Sequence, residues 1–259
     1  MNKILLIVFF TALLFNRGTA QNTNEIKKPE TINVLVFTKT AGFRHKSISN
    51  GIKMISELGQ KENWTVTSTE DASLFTSDFL NNTDVVVFLN TTGDILNDKQ
   101  QKAFEKFMKS GKGFVGIHAA TDCEYDWPWY GNLTGAYFRT HPPAQEGTVV
   151  IEDTNHPAMK PFEGMSTYTT VDEWYSFKEN PREKVHVLAS LDENSIKKSK
   201  DDQWKMGDHP LIWYHEYEGC RAFYTVFGHT AEAFDDENVR EHIAGAINWA
   251  GKRTELNNN

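Results

Sequence analysis

The sequence predicts an α/β fold in which helices cover both faces of a mostly parallel central sheet. Short apolar runs rich in β-branched residues alternate with stretches of helical periodicity, a pattern typical of parallel strands joined by crossover helices. The clearest runs are residues 32–37, 85–89 and 113–117. Each run is apolar at nearly every position, as expected of a strand that is buried on both faces.

The first half of the chain follows this alternation in order. A helix is expected after Ser47, a suitable N-cap, with its end near Gly59. A second helix is expected after the capping-box pattern of Asn97 and Gln100, and it ends at a glycine within 111–113. The predicted strands of this half are residues 32–37, 64–69, 85–89 and 113–117.

The middle of the chain is less regular, whereas its end returns to clear patterns. Residues 125–137 are rich in aromatic side chains and are predicted to be partly helical. The lysine-rich run 195–202 is predicted to be a solvated loop. The remaining predicted elements are strands at 148–152 and 185–191, a hairpin of 211–217 with 221–227, and a closing amphipathic helix at 233–249.

The first twenty residues have the pattern of an export signal. Lys3 precedes an apolar run at 4–15, and small residues end the segment at Ala20. The run is shorter than the ~20 residues that span a bilayer. We therefore expect a periplasmic or secreted protein that is not inserted into a membrane once the signal is cleaved. The predicted organisation is a signal peptide at 1–20, a polar lead-in at 21–30, one domain at 31–252 and a polar tail at 253–259.

The charge balance excludes one class of partner. The chain has 27 basic and 35 acidic residues, which gives a net charge of −8, and it carries no basic stripe. An acidic surface repels phosphate backbones, so nucleic acid is not an expected partner. Two cysteines, Cys123 and Cys220, are too few for a disulfide framework. The sequence is compatible with a homo-oligomer.

Two histidines follow predicted strands, where ligands bind in open parallel sheets. His118 comes directly after the strand 113–117 and precedes two alanines, a pattern typical of a tight strand-to-helix elbow. His229 follows Gly228 at the end of the run 221–227. Either imidazole can act as an acid or a base near neutral pH. A purely structural role is the alternative for each histidine.

The loops after the first and third strands reach the same rim of the sheet. They carry Arg44, His45 and Thr92, which we expect to bind substrate. A divalent metal such as zinc could be held by some of the histidines, with His141 or His156 as a further ligand. The chain has no His-x-x-x-His or Glu-x-x-His spacing, so the sequence alone establishes no cofactor.

Two segments combine carboxylates with large aromatic side chains, which suits carbohydrate binding. Aromatic rings stack on the CH faces of sugars while carboxylates accept hydrogen bonds from hydroxyl groups. Packing of the aromatic rings in the core is the alternative. In the second segment Glu173 is the better acid–base candidate, because Asp172 points to the opposite side of an extended chain. The candidates are Asp122, Asp126, Trp127 and Trp129 in the first segment, and Glu173 and Trp174 in the second.

Four motifs in order resemble the trehalose-utilisation (ThuA-like) family, over a span from about Ile32 to Trp249. They are FTKTAGFRH at 37–45, GIHAATD at 116–122, YDWPWY at 125–130 and VFGHT at 226–230. The resemblance implies a flavodoxin-like, three-layer sandwich of the class I glutamine amidotransferase type. In amidotransferases the elbow carries a cysteine nucleophile, where this chain has His118. The resemblance therefore implies the fold without the amidotransferase activity.

The resemblance also implies a small carbohydrate as substrate, in pathways that use 3-keto sugars. We expect an enzyme that acts on a disaccharide or 3-keto-glycoside by acid–base lyase or hydrolase chemistry, with or without a metal. His118 and His229 are the candidates for base and carbonyl polariser, with Glu173 or Asp122 as proton donor to the leaving oxygen. The alternatives are a non-catalytic sugar-binding protein and a structural module that keeps an ancestral rim.

Overall fold

The computed structural model describes residues 31–256 and has a nine-stranded sheet at its centre. The predicted signal peptide, the lead-in and the last three residues of the predicted tail lie outside the described residues. The strands are β1 (Ile32–Phe37), β2 (Trp64–Thr69), β3 (Val85–Leu89), β4 (Gly113–Ile117), β5 (Phe138–Thr140), β6 (Gln145–Ile151), β7 (Thr167–Asp172), β8 (Ser176–Phe177), β9 (His186–Asp192), β10 (Pro210–Tyr217) and β11 (Cys220–Thr225). The helices are α1 (Ile48–Glu62), α2 (Ser77–Leu80), α3 (Asp98–Lys109), α4 (Pro128–Thr134) and α5 (Glu237–Ala250).

The sheet has a parallel half and an antiparallel half. Its strand order is β2-β1-β3-β4-β11-β10-β9-β6-β7. Strands β2, β1, β3, β4 and β11 are mutually parallel, and β10, β9, β6 and β7 continue the sheet with antiparallel pairs. The small strands β5 and β8 form a separate antiparallel pair. The expected α/β fold class, with parallel strands at its centre, is confirmed.

Helices cover both faces of the sheet because each central strand is apolar on both sides. Along β1, Val34 and Val36 pack into one core with α1 and α5, whereas Leu35 and Phe37 pack into a second core with α3 and α4. Side chains of a strand alternate between the two faces, so one apolar run supplies both cores. Among residues 31–256, no helix has the length and apolar character needed to cross a bilayer.

Several predicted boundaries were wrong for identifiable physical reasons. Ser47 precedes α1 but makes no capping hydrogen bond, because its hydroxyl is used elsewhere. Helix α1 continues past Gly59, which packs closely on β2, and ends at Asn63 in the left-handed conformation. The closing helix begins at Glu237, after Asp236 caps the amide of Val239.

The middle of the chain also differs from the prediction. Strand β6 begins at Gln145, three residues earlier than the predicted strand, and ends at Ile151. Strand β7 was not predicted at all: its residues alternate between exposed and partly buried, and it lies at the edge of the sheet. The predicted hairpin is confirmed as β10 and β11, with its turn at Glu218 and Gly219.

Candidate active site

The candidate site lies where β4, β7 and β11 end and where the loop after β1 turns into α1. Strand β7 is four places from β11 in the sheet order, yet Asp172 at its end contacts the backbone that follows β11. His118, Glu173 and His229 are thereby brought together, and His45 joins them from the loop before α1. The expectation that strand ends deliver distant imidazoles to one place holds for these residues.

His118 forms the floor of the site. It follows β4 directly, its backbone is left-handed with φ 51°, and its side chain is completely buried. A left-handed conformation costs ~1 kcal/mol or more for a residue with a Cβ, so tertiary contacts must hold it. The phenol of Tyr224 donates to the His118 carbonyl at 2.9 Å, and Nδ1 of the ring lies 2.7 Å from the carbonyl of Val226. The ring of Tyr175 packs on the imidazole with 4.3 Å between centroids.

A network of buried polar groups fixes the turn that carries His229. Gly228 has φ 128°, a conformation that glycine adopts without strain. Its carbonyl accepts hydrogen bonds from the hydroxyl of Ser47 at 2.8 Å and from the amide of Asn90 at 3.0 Å. The Asp172 carboxylate accepts the backbone N–H groups of Gly228 at 2.9 Å and of His229 at 3.0 Å. The same turn therefore positions His229 and ties β7 to β11.

Four side chains converge above this scaffold, and we call them the His₃Glu cluster: His45, His118, Glu173 and His229. One nitrogen or oxygen from each lies within 4.8 Å of those of the others. Oε2 of Glu173 is 3.1 Å from Nδ1 of His229 and 3.7 Å from Nε2 of His118. The ring of His45 meets those of His118 and His229 edge-on, with centroid distances of 4.9 and 5.2 Å.

The electrostatics of the cluster favour a charged Glu173 carboxylate and a neutral His45 imidazole. Burial raises the pKa of Glu173, but contacts with His118 and His229 outweigh it and hold that pKa far below its ordinary value. Burial, with a smaller effect from the other imidazoles, lowers the pKa of His45 to about 3. Burial also lowers the pKa of His229, but the carboxylate of Glu173 raises it by more.

Three further residues lie at the outer side of the cluster. Nδ1 of His141 is 3.0 Å from Oε1 of Glu173, and its side chain is 36% exposed, more than any member of the cluster. Asp122 is half-buried, and burial raises the pKa of its carboxyl group despite a 2.6 Å hydrogen bond from Tyr125. Tyr125 is partly exposed. These groups can exchange protons with a ligand that the buried imidazoles cannot reach.

Several residues predicted to bind substrate lie elsewhere or are enclosed. Arg44 pairs with Glu70 at 2.5 Å on the surface, because Glu70 follows the neighbouring strand β2. Thr92 is buried and donates to the carbonyl of Phe43 at 2.8 Å, so it supports the loop that carries His45. Thr92 therefore has almost no surface for a direct ligand, whereas Arg44 is half exposed and pairs with Glu70.

The predicted aromatic stacking surface is also corrected. Trp174 has no exposed surface, and its indole donates to the Gln145 carbonyl at 2.9 Å. Trp129 donates to Glu218 at 2.5 Å, in the turn at the opposite end of β11 from the cluster. Trp127 is mostly buried, but with Asp126 it lines a cleft of about 460 Å³ that also includes Tyr125. This cleft retains the expected combination of acidic and aromatic groups.

Sequence reasoning missed the supporting residues. Asn90 and Tyr175 carry no motif, because their roles depend on contacts between strands that are distant in sequence. His141 was considered only as a metal ligand, together with His156, which packs in the core against Trp249 instead. Phe43 is 66% exposed and lies edge-on to His45. This exposure depends on the fold and could not be predicted from the sequence either.

Comparisons with known proteins agree with this fold. The model of the family described as Trehalose utilisation (ThuA) matches residues 33–250. A solved ThuA-like protein from Bacteroides uniformis is 24% identical with a TM-score of 0.72, and the match covers 88% of this chain and 94% of that one. A ThuA-like protein from Parabacteroides merdae is 18% identical with a TM-score of 0.69, covering 89% and 93%. No curated protein matches the sequence.

A more distant similarity concerns the fold alone. The glutaminase domain of CTPS from Trypanosoma brucei is 8% identical with a TM-score of 0.52, covering 88% of this chain and 96% of that one. That similarity agrees with the class I glutamine amidotransferase-like architecture expected from the sequence.

Proposed function

This chain belongs to the trehalose-utilisation (ThuA-like) family, and on that premise we propose that it is an enzyme acting on a disaccharide or 3-keto-glycoside by acid–base lyase or hydrolase chemistry. The observation that carries the proposal is the convergence of His45, His118, Glu173 and His229 beside two proton-transfer groups, the exposed His141 and the half-buried Asp122. The family description supports a carbohydrate substrate.

The chemistry begins with the acidity that a 3-keto group gives to the C2 proton. A base removes that proton, the C2–H electrons form a C1–C2 double bond, and the C1–O bond breaks. The leaving oxygen takes up a proton and departs as an alcohol. Adding water across the double bond then yields the free 3-keto sugar, so the overall change is hydrolysis.

We assign the proton transfers to the outer residues. His141 is exposed and is oriented by the Glu173 carboxylate through Nδ1, which leaves Nε2 to act as the base. Asp122 has a raised pKa, which favours the protonated form needed to supply the leaving oxygen. His118 was a candidate for the base or for the carbonyl polariser, but its side chain is completely buried, so we give the role of base to His141.

Thiolate chemistry is not part of the proposal. His118 occupies the elbow position, and both cysteines are free and buried. Burial raises the pKa of Cys123 to about 12 and that of Cys220 to about 11, so neither is a nucleophile near neutral pH. A glutamine amidotransferase activity is therefore not expected.

The test is to follow 3-keto-trehalose with the purified protein by NMR in D₂O. We expect glucose release and deuterium incorporation at C2, and a loss of about 100-fold or more in kcat for His141→Gln and for Asp122→Asn. The control is His186→Gln, which alters a second exposed histidine–carboxylate pair, 2.7 Å from Asp153 and outside the site. Its rate should equal that of the wild type.

Two results would contradict the proposal. Equal rates for His141→Gln and the control would remove the assigned proton-transfer role. Sugar binding by calorimetry with no product would favour the second candidate, a non-catalytic sugar-binding protein. The acidic and aromatic cleft beside Tyr125 is the observation that supports this second candidate.

A further inference from the structure

We propose that the His₃Glu cluster is a binding site for one divalent transition-metal ion of the zinc class. Three buried nitrogens of the cluster have no hydrogen-bond partner: Nδ1 of His45, Nε2 of His118 and Nδ1 of His229. Buried polar atoms are almost always paired, and each unpaired one costs ~1–3 kcal/mol. Nε2 of His118 and Nδ1 of His229 lie 3.7 and 3.1 Å from one oxygen of Glu173, and a ring nitrogen of His45 lies within 4.8 Å of the other donors, so one cation can serve the whole cluster.

The tautomer of His118 leaves a ring nitrogen available to bind a cation. A backbone carbonyl can only accept a hydrogen bond, so the 2.7 Å contact with Val226 places the proton of the neutral ring on Nδ1. Nε2 then presents a lone pair toward Oε2 of Glu173, at 3.7 Å, where the carboxylate also presents lone pairs. Two acceptors facing each other in a buried site need a cation between them. An ion held by both groups meets this need.

The spacing of the donors around Glu173 fits a tetrahedral zinc site. Ligand bonds of about 2.1 Å place neighbouring donors ~3.4 Å apart in a tetrahedral zinc site. The observed separations from Glu173 to His229 and His118, 3.1 and 3.7 Å, bracket that value. Imidazole nitrogens with a single carboxylate suit zinc and its neighbours, whereas calcium and magnesium prefer oxygen ligands.

The surroundings of the cluster have the features of a second coordination shell. The Val226 carbonyl fixes His118, Asp172 fixes the backbone of Glu173 and His229, and His141 contacts the second oxygen of Glu173. Such partners orient metal ligands and set the histidine tautomer. His229 is the most exposed member, with 25% of its side chain accessible, so a ligand would approach the ion from that side.

The experiment uses the purified protein after treatment with a chelator and titrates it with zinc by calorimetry. We expect one ion per chain with a Kd below about 1 µM, and a loss of ~100-fold or more in affinity for His229→Gln and Glu173→Gln. Cobalt should replace zinc and give visible absorption bands. His186→Gln should bind like the wild type, because its imidazole pairs with Asp153 outside the cluster. Circular dichroism confirms that the partly exposed His229→Gln variant is folded.

Two outcomes would overturn the metal site. The first is no zinc binding by the wild type, which is the result expected if His118 is an imidazolium paired with Glu173. The second is an unchanged zinc affinity in both His229→Gln and Glu173→Gln. The inference goes beyond the proposed function and can fail separately from it. Zinc binding without turnover of keto-glycosides would leave the metal site standing and refute the function. Turnover of keto-glycosides by protein that binds no zinc would support the function and refute the metal site.

Discussion

The buried carboxylate of Asp172 joins the end of β7 to the turn after β11, and replacing it by asparagine tests how strongly the site depends on that connection. Oδ1 accepts the backbone N–H groups of Glu173 at 2.8 Å and His229 at 3.0 Å, and Oδ2 accepts that of Gly228 at 2.9 Å. An asparagine can keep one oxygen in place, but its NH₂ group must face at least one of these amides.

The expected destabilisation of Asp172→Asn is about 2–4 kcal/mol. A hydrogen bond to a charged group contributes ~1.5–3 kcal/mol, and an amide left unpaired in the interior costs ~1–3 kcal/mol. Asp172 has no exposed surface, so water cannot replace the lost acceptor. The upper part of this range shifts the folding equilibrium by a factor of several hundred.

Urea denaturation of the wild type and the variant measures this difference as a lower midpoint with an unchanged slope. The control is Asp192→Asn, because Asp192 is partly exposed and its carboxylate accepts one backbone amide, that of Asn194 at 3.0 Å. We expect the control to lose ~1 kcal/mol or less. A loss in Asp172→Asn no greater than in the control would refute the assigned role.

Two further predictions concern stability away from the site. Burial lowers the pKa of His156 to about 3 and that of His242 to about 4, so the unfolded chain binds protons below pH ~6.5 that the folded chain does not. The free energy of unfolding should therefore fall as the pH drops from about 6.5 to about 4. His242→Gln should reduce that fall by ~3 kcal/mol, as measured by urea denaturation. An equal fall in the wild type and in His242→Gln would contradict this prediction. In Gly245→Ala, the new Cβ would lie 2.7 Å from the Ala158 Cα. We expect thermal denaturation to show a net loss of ~2 kcal/mol or more in the free energy of unfolding, although alanine has the better helix propensity. A more stable variant would be inconsistent with the packing of α5.

The sequence predicted the parallel half of the fold well, because its signals are local. The runs that form β1, β3 and β4 are apolar at nearly every position, and the capping box of Asn97 and Gln100 is present at the start of α3. Strand β7 lacks such a signal, since it is an edge strand whose residues are largely exposed. The sequence therefore did not predict β7, although Glu173 directly follows this strand in the site.

The site could be predicted only in part, for a related reason. His118 and Glu173 were identified because one follows a buried strand and the other occupies the opposite face from Asp172. The aromatic residues were misassigned because YDWPWY is compatible with either a surface or a core. Burial of Trp174 and the direction of Trp129 depend on β6 and on the β10–β11 turn, which lie far away in the sequence.

X-ray absorption spectroscopy on the zinc-loaded protein identifies the atoms bound to the ion and so tests whether the His₃Glu cluster holds it. We predict three imidazole nitrogens and one carboxylate oxygen at about 2.0–2.2 Å, and the loss of one imidazole from this shell in His229→Gln. A shell made of water and carboxylate oxygens alone, or one that is the same in His229→Gln, would contradict the account.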